Sequence, residues 1–226
     1  MNYKSLLLIP LTSFFMNAQS LPKPSVDVSG EGIVTVTPDE VTITARVEHT
    51  GNNPKEVKQM NDQTVNEVFQ FLKQAGIDSK YVKTEYLNLS KNYEYNTKKY
   101  TYVANQTLSI KLKDLTQYET IMKGLLETGI NRIDGISFTS SKMTALQSEA
   151  RIKAVQNALK KAEEYASVLH QTVGKALLIS EFQNNNTPSP MLKRGMMAMD
   201  TSSESQTMAP GEMEIRVVVN VSFELN

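Results

Sequence analysis

Five alanines recur at every fourth position between residues 143 and 170, and this spacing restricts the possible folds more than any other feature. They are Ala150, Ala154, Ala158, Ala162 and Ala166, together called the alanine ridge. Residues four apart share one face of an α-helix. Alanine is also the strongest helix former, and its small side chain lets a neighbouring element approach closely. The spacing predicts a helix over about 143–170, roughly 40 Å long, lying across a sheet.

Larger apolar residues accompany the alanine ridge, and we interpret them as part of the same broad buried face. These residues are Leu146, Val155, Leu159, Tyr165 and Leu169. A helix start is predicted from Thr144 and Gln147, which have the spacing of a capping box. Pairs of opposite charge four residues apart, such as Glu149 with Lys153, mark the solvent side. A second interpretation is that part of the ridge contacts another copy of the chain.

Residues 1–20 have the pattern of a secretory signal peptide. Lys4 is followed by an apolar segment over 5–16, and small residues allow cleavage after Ser20 or, alternatively, after Ala18. The apolar segment is too short to span a bilayer, and no longer apolar run follows. We therefore expect an exported protein of the periplasm without a membrane span, with outer-membrane association as an additional possibility.

Charge and cysteine content exclude several classes of protein. Lysine plus arginine number 24, as do aspartate plus glutamate, and the basic residues are scattered, so no nucleic-acid partner is predicted. The absence of cysteine excludes disulfides, thiol catalysis and cysteine-ligated metals. An exported chain without disulfides must be held together by its core or by assembly.

Alternating apolar residues over 26–36 and 41–47 predict two strands joined by a turn at 38–39. We expect them to form an antiparallel hairpin with one buried face. Gly30 and Gly32 lie inside the first strand and open no helix, so they do not form a phosphate loop. Glycines in a strand more often mark a bulge or a close backbone approach.

Capping signals predict two further helices. One starts at residues 53–56 and ends at Gly76, and the other starts at Asp114 or Thr116 and ends at Gly129. Their predicted buried faces are Val57, Met60, Thr64, Val68, Phe71, Leu72 and Ala75 in the first, and Leu115, Tyr118, Ile121, Met122, Leu125 and Leu126 in the second.

The remaining periodic segments are strands. They are predicted over 80–93, 100–112, 130–138, 175–182 and 213–225, the last with strict alternation. The first two should form a hairpin rich in tyrosine, a residue that can stack on sugars or bases but is also ordinary in half-exposed sheets. Helices separating the strands predict an α+β fold, with a mainly antiparallel sheet and helices on one face.

Residues 183–211 lack periodicity and are rich in methionine, proline and serine, which predicts a flexible loop. Its methionines are Met191, Met196, Met197, Met199 and Met208. Thioethers favour Cu(I), and methionine can also be oxidised reversibly. These residues are therefore candidates for a metal site or an oxidant scavenger. The alternative is a loop that tolerates methionine, because no histidine or cysteine lies nearby to complete a site.

No motif of a known enzyme class is present, so we expect neither catalysis nor a cofactor. Both histidines have simpler explanations: His49 lies near a strand end, and His170 lies at a helix C-terminus, where it favours the helix dipole. Asp39, Asp134 and Glu212 are expected to be turn and cap residues rather than acid–base pairs.

Short motifs in a fixed order carry a resemblance to a known family. They are Val28-Ser29-Gly30-Glu31-Gly32, Pro38-Asp39, Gly76-Ile77 with Val82 and Thr84, Asp114-Leu115, Ile133 with Gly135-Ile136 and Phe138, Gly174-Lys175, Ile179-Ser180-Glu181 and Pro210-Gly211-Glu212. Together with the alanine ridge, they make the chain resemble the SIMPL-domain family over about Val26 to Leu225.

The resemblance implies an α+β domain over about 25–226, export to the periplasm, and a part in oxidative-stress defence. Some members assemble into ring- or channel-like oligomers, so a homo-oligomer is expected. The family brings no agreed catalytic residues. Its eukaryotic members are described as signalling adaptors for a kinase, a role against which the signal peptide argues. The expected function is that of a non-enzymatic, self-assembling envelope protein. Alternatives are a module that binds a small amphiphile or an unidentified partner protein, and the copper or oxidant scavenger.

Overall fold

A computed structural model describes residues 23–181, 190–191 and 209–226. Its strands are β1 (Ser25–Val36), β2 (Glu40–Gly51), β3 (Val82–Glu94), β4 (Lys99–Leu112), β5 (Arg132–Thr139), β6 (Val173–Glu181), β7 (Pro190–Met191) and β8 (Glu212–Leu225). Its helices are α1 (Pro54–Gln74), α2 (Tyr118–Glu127) and α3 (Met143–Val168). The α+β class, the long alanine helix and the long C-terminal strand are confirmed.

The strands form two antiparallel sheets rather than one. Sheet A has the order β1-β8-β6, with β7 also paired to β8, and sheet B has the order β3-β4-β2-β5. Since β1 pairs with β8 while β2 pairs with β4 and β5, the predicted β1–β2 hairpin is wrong. Alternation shows which face of a strand is buried but not which strand lies beside it. The turn at 38–39 instead carries the chain from sheet A to sheet B.

The alanine ridge packs on sheet A, and the two strand glycines make this packing possible. All five alanines are at most 2% exposed. A Cβ atom placed on Gly30 would lie 2.0 Å from the carbonyl oxygen of Ala154, and one on Gly32 would lie 1.9 Å from that of Ala150. Backbone therefore approaches backbone, as expected for glycines in a strand. The chain's own sheet covers the ridge, so the ridge is not available to a second copy.

The broad apolar face predicted for α3 is wrong, because only the alanines and their immediate neighbours are covered. Val155, Leu159, Tyr165 and Leu169 are 36%, 39%, 57% and 62% exposed. Because the helix lies so close to the sheet, only the alanine ridge contacts the sheet directly. The larger side chains lie to either side of this contact. Leu146 alone of the five predicted neighbours packs against the core of sheet A.

Helices α1 and α2 cover one face of sheet B and form a second core. Its centre contains Ile43, Val47, Leu108 and Ile110, all fully buried. Two predicted core positions are wrong, because Met60 and Leu126 are 48% and 57% exposed. In α1 the buried stripe instead includes Asn61, which is 1% exposed. The helix is therefore rotated by about one residue from the orientation predicted by hydrophobicity.

All three helices end in the same hydrogen-bonded motif, with a left-handed residue just past the end. In α1 and α2 this residue is Gly76 (φ 81°) or Gly129 (φ 96°). In α3 it is His170 (φ 56°), whose amide donates to Ser167, while the next amide, of Gln171, donates to the carbonyl of Ala166. This pattern is a Schellman motif, a position where glycine is normally favoured.

Candidate functional site

The two halves of the molecule are joined where the chain passes between the sheets at residues 37–39 and 140–142. The carboxylate of Asp39 accepts hydrogen bonds from the amide of Ser141 (2.7 Å) and from its hydroxyl (2.5 Å). These bonds, and one from the Ser140 hydroxyl, lower the pKa of Asp39. The amide of Lys142 donates to the Ser140 hydroxyl at 3.2 Å. Helix α3 has Lys142 at its N-cap position and no side-chain cap, so the predicted Thr144 capping box does not form. Asp39 lies in the turn before β2 and bonds the residue before that N-cap.

Within the described residues, no hydrogen bond or ion pair joins either histidine to a carboxylate. His49 sits at the end of β2, where its Nε2 atom is 3.5 Å from the Thr64 hydroxyl of α1. The Nδ1 atom of His49 and both polar side-chain atoms of Asn61 are buried, with no hydrogen-bond partner in the described part of the chain. His170 is exposed at the end of α3.

The remaining candidate carboxylates, Asp134 and Glu212, lie in strands. Asp134 lies in β5 and bridges Arg46 (2.7 Å) and Arg132 (2.7 Å), so it is an ion-pair residue and not a cap. Glu212 opens β8. Within residues 23–181 and 209–226, no group of three or more histidine or acidic side chains could hold a metal ion.

The methionine-rich region falls almost wholly outside the residues that the structure describes. This holds for the side chain of Met191 and for Met196, Met197, Met199 and Met208. Part of the predicted loop over 183–211 is nevertheless ordered as β7, whose residues Pro190 and Met191 pair with Met213 and Glu212. The copper and scavenger hypotheses therefore stay predictions.

The space between α3 and sheet A is closed, because the glycine and alanine backbones are in contact. A shallow depression of about 410 Å³ lies instead across β1, β8 and β6. It is lined by Asp27, Val28, Ser29, Leu178, Ser180, Asn220, Val221 and Ser222. Its lining combines the apolar side chains of Val28, Leu178 and Val221 with short polar side chains.

The outer edge of sheet B exposes several large apolar side chains. The exposed apolar residues of β3, here called the β3 surface, are Tyr86 (52%), Leu87 (56%), Leu89 (43%) and Tyr93 (42%). Leu87 and Leu89 lie opposite Gln106 and Ala104 of β4, both buried, so they share the helix-covered face of the sheet. The helices do not reach this far, and the two leucines remain uncovered.

The tyrosines predicted to cluster in the β3–β4 hairpin do meet at its tip. The rings of Tyr93 and Tyr100 have centroids 5.0 Å apart, and those of Tyr93 and Tyr95 are 5.1 Å apart at 85°. Lys91 stacks on Tyr100, with its Nζ atom 3.9 Å from the ring centroid. Partial exposure next to the open edge makes this cluster suitable for contact with another protein surface.

Other exposed apolar side chains are scattered over the other half of the molecule. They are Ile152, Tyr165 and Val168 of α3, Leu169 at its end, and Leu177, Leu178 and Ile179 of β6, all more than 40% exposed. Strand β6 ends at Glu181, the last described residue before an interruption in the described part of the chain. Among the described helices, none is long and apolar enough to cross a membrane.

Comparison with known proteins gives a consistent set of relatives. The chain is 27% identical to the 26 kDa periplasmic immunogenic protein of Brucella melitensis, over 95% of this chain and 90% of that protein. It is 26% identical to the uncharacterized protein YggE of Escherichia coli K12, over 96% and 90%. It is also 25% identical to the human interleukin-1 receptor-associated kinase 1-binding protein 1, over 69% of this chain and 59% of that protein.

The profile of the SIMPL family, described as a protein of unknown function (DUF541), matches residues 26–223. This range begins in β1 and ends in β8, so it includes both sheets and all three helices. The chain therefore belongs to the SIMPL family.

Proposed function

We propose that this chain is an exported, non-enzymatic envelope protein that assembles with copies of itself and contributes to defence against oxidative or envelope stress. The observation that supports assembly is the row of uncovered apolar side chains on β3, at an open edge of sheet B. Large exposed apolar patches in soluble proteins commonly mark interaction sites. The periplasmic location is supported by the similarity to the 26 kDa periplasmic immunogenic protein of Brucella melitensis and by the signal-peptide pattern of residues 1–20.

The placement of the titratable side chains supports a non-catalytic role. His49 contacts a threonine hydroxyl and His170 ends a helix, so neither is oriented by a carboxylate as a general base would be. The carboxyl group of Asp39, whose pKa is lowered by hydrogen bonds from Ser141 and Ser140, is engaged where the chain passes between the two sheets. Assembly, by contrast, needs only an exposed apolar surface and an unpaired strand edge, and β3 provides both among the described residues.

Light scattering of the chain without residues 1–20 tests the assembly part of this proposal. The expected mass at micromolar concentration is a multiple of the mass of one chain. A single species with the mass of one chain over the whole concentration range would refute self-assembly. A matched control is the variant Gly135→Ala, because the added methyl group meets no atom within 4 Å and should leave the mass unchanged.

A deletion strain of the source bacterium tests the part in stress defence. Its survival under peroxide and under copper is compared after complementation with the full chain and with a chain lacking residues 183–211. Assembly-based protection predicts that both chains restore survival. Restoration by neither chain would refute the stress role. Restoration by the full chain alone would indicate that residues 183–211 carry the protective activity.

The amphiphile-binding alternative has less support, because the contact between Gly30 and Gly32 and the backbone of α3 leaves no room between helix and sheet. A ligand that binds the folded state raises the melting temperature in proportion to the logarithm of its concentration. A fatty acid or lysolipid added to the chain should therefore leave its melting temperature unchanged. A concentration-dependent rise would favour the binding module instead.

A further inference from the structure

Strand β3 is an open edge of sheet B. It pairs with β4 on one side, and no other strand among the described residues lies against its second side. It is 13 residues long, more than twice the usual strand length of about 5–6 residues. The unpaired N–H and C=O groups of such an edge form a template on which another strand can add.

A bulge limits the part of β3 that can accept a new strand. Thr84 lies opposite Leu108 and Tyr86 lies opposite Thr107, so Glu85 is the extra residue. From Tyr86 onward the pairing with β4 is regular as far as Glu94. A bulge bends its strand and interrupts the ladder. An added strand should therefore pair with β3 from its C-terminal end at Glu94 back to the bulge at Glu85.

The sequence of this open edge is complementary to itself when two copies run antiparallel. With Asn88 of one copy opposite Asn88 of the other, Leu87 lies opposite Leu89, and Glu85 lies opposite Lys91. A two-fold axis through this point makes each of these contacts twice. A shift of the centre to Leu89 places Leu89 opposite itself but puts Leu87 opposite Lys91 and Glu85 opposite Tyr93, so the ionic pairs are lost. The composition of the edge therefore favours a single register.

The side chains concerned are free to make these contacts. Glu85 and Lys91 are exposed and form no ion pair within the described part of the chain. Lys91 is held along the strand by its contact with the Tyr100 ring. Leu87 and Leu89 share one face and are about half exposed. Pairing would cover both leucines and join opposite charges at each end of the paired segment.

We infer that β3 pairs with β3 of a second copy of this chain, antiparallel and centred on Asn88, so that the two B sheets become one continuous sheet. This inference rests on the proposed self-assembly and names the surface that carries it. The other edge strands among the described residues are β1, β5 and β6, and β6 is a poorer template than β3. It contains two irregularities in its pairing with β8, and the side chain of its Glu181 is already bonded by Arg151 at 2.9 and 3.0 Å.

Disulfide trapping tests the register, because the natural chain has no cysteine. Two Asn88→Cys residues would face each other across the axis with Cα atoms about 5 Å apart, within the range that a disulfide spans. Two Ser90→Cys residues, on the same strand and the same face, would be roughly 14 Å apart and serve as the control. Leu178→Cys places the thiol at the centre of the competing β6 edge. The expected result is a covalent dimer on mild oxidation of Asn88→Cys alone.

Charge reversal tests the same surface without covalent chemistry. Glu85→Lys and Lys91→Glu each place like charges opposite each other twice, and each should weaken dimerisation about tenfold. The double variant restores opposite charges and should return the dissociation constant to that of the natural chain. If the natural chain assembles, but Asn88→Cys stays uncrosslinked or Leu178→Cys crosslinks instead, the β3 interface is refuted while self-assembly stands. A monomeric natural chain would refute both.

Discussion

Replacing Gly30 or Gly32 by alanine should destabilise the protein, although alanine loses less backbone entropy than glycine when the chain folds. The added methyl group of Gly30→Ala would lie 2.0 Å from the carbonyl oxygen of Ala154 and 2.6 Å from the amide nitrogen of Ala158. Ordinary contacts of a Cβ atom begin at 3.4 Å. Because both neighbours are backbone atoms, no side chain can rotate away, and α3 itself must move.

The size of this effect follows from the distance that α3 must move. Withdrawal by roughly 1.4 Å exceeds the gap of 0.5–1 Å that already removes a quarter to a half of the dispersion energy of a contact. Overpacking a tight core typically lowers the free energy of unfolding by about 1–3 kcal/mol. Because rigid backbone atoms are in the way here, we expect a loss of about 3 kcal/mol. The entropic advantage of alanine over glycine, about 0.4–1 kcal/mol, is too small to offset it. For a chain of this size the melting temperature should fall by roughly 6–12 °C.

Thermal unfolding followed by circular dichroism at fixed protein concentration measures this loss. Gly135→Ala is the matched control, since it also lies in a strand but its methyl group would meet no atom within 4 Å, and it should be neutral or slightly stabilising. Adding Ala154→Gly to Gly30→Ala should not rescue stability, because the clashing oxygen belongs to the backbone. The reasoning is refuted if Gly30→Ala and Gly32→Ala both unfold within about 0.5 kcal/mol of Gly135→Ala.

Three further predictions address the end of α3, the junction of the two halves and the methionines. His170→Gly should raise the unfolding free energy by about 0.5 kcal/mol in urea titrations, since a left-handed residue other than glycine is strained, whereas a decrease would show that the imidazole itself stabilises the helix end. Asp39→Asn should lower stability at neutral pH. Because its serine partners lower the pKa of Asp39, the contribution of the carboxylate is complete above its ordinary pKa of about 4 and is lost as the pH falls through the lowered pKa. A difference between the two proteins that persists unchanged in acid would contradict that assignment. The copper hypothesis predicts that replacing the five methionines of residues 191–208 by leucine weakens Cu(I) binding in a titration under reducing conditions, and equal affinity would remove it.

Local features of the sequence predicted the elements well, because their causes are local. Asn53 accepts a hydrogen bond from the amide of Lys55 at the start of α1, and Gly76 and Gly129 adopt the positive φ that ends a helix. The strict alternation in β8 is matched by burial of every second residue. The alanine spacing correctly predicted a close approach, and the strand glycines that receive it were recognised as sites of close contact.

The partners of each strand could not be predicted, because they depend on contacts between residues distant in the sequence. Alternation in β1 and β2 is the same whether the two strands pair with each other or belong to different sheets. The exposure of Leu87 and Leu89 likewise depends on how far α1 and α2 extend over sheet B, which no residue of β3 encodes. The bulge at Glu85 moves Leu87 and Leu89 onto the face that carries Val82, and only the observed register with β4 reveals it.

Sedimentation velocity of the chain without residues 1–20, over a series of concentrations, tests most directly whether self-assembly through the β3 surface is the basis of this protein's function. The account predicts a species heavier than one chain whose fraction rises with concentration, and a shift to smaller species for Glu85→Lys that Lys91→Glu reverses. A sedimentation coefficient of one chain at every concentration would contradict it.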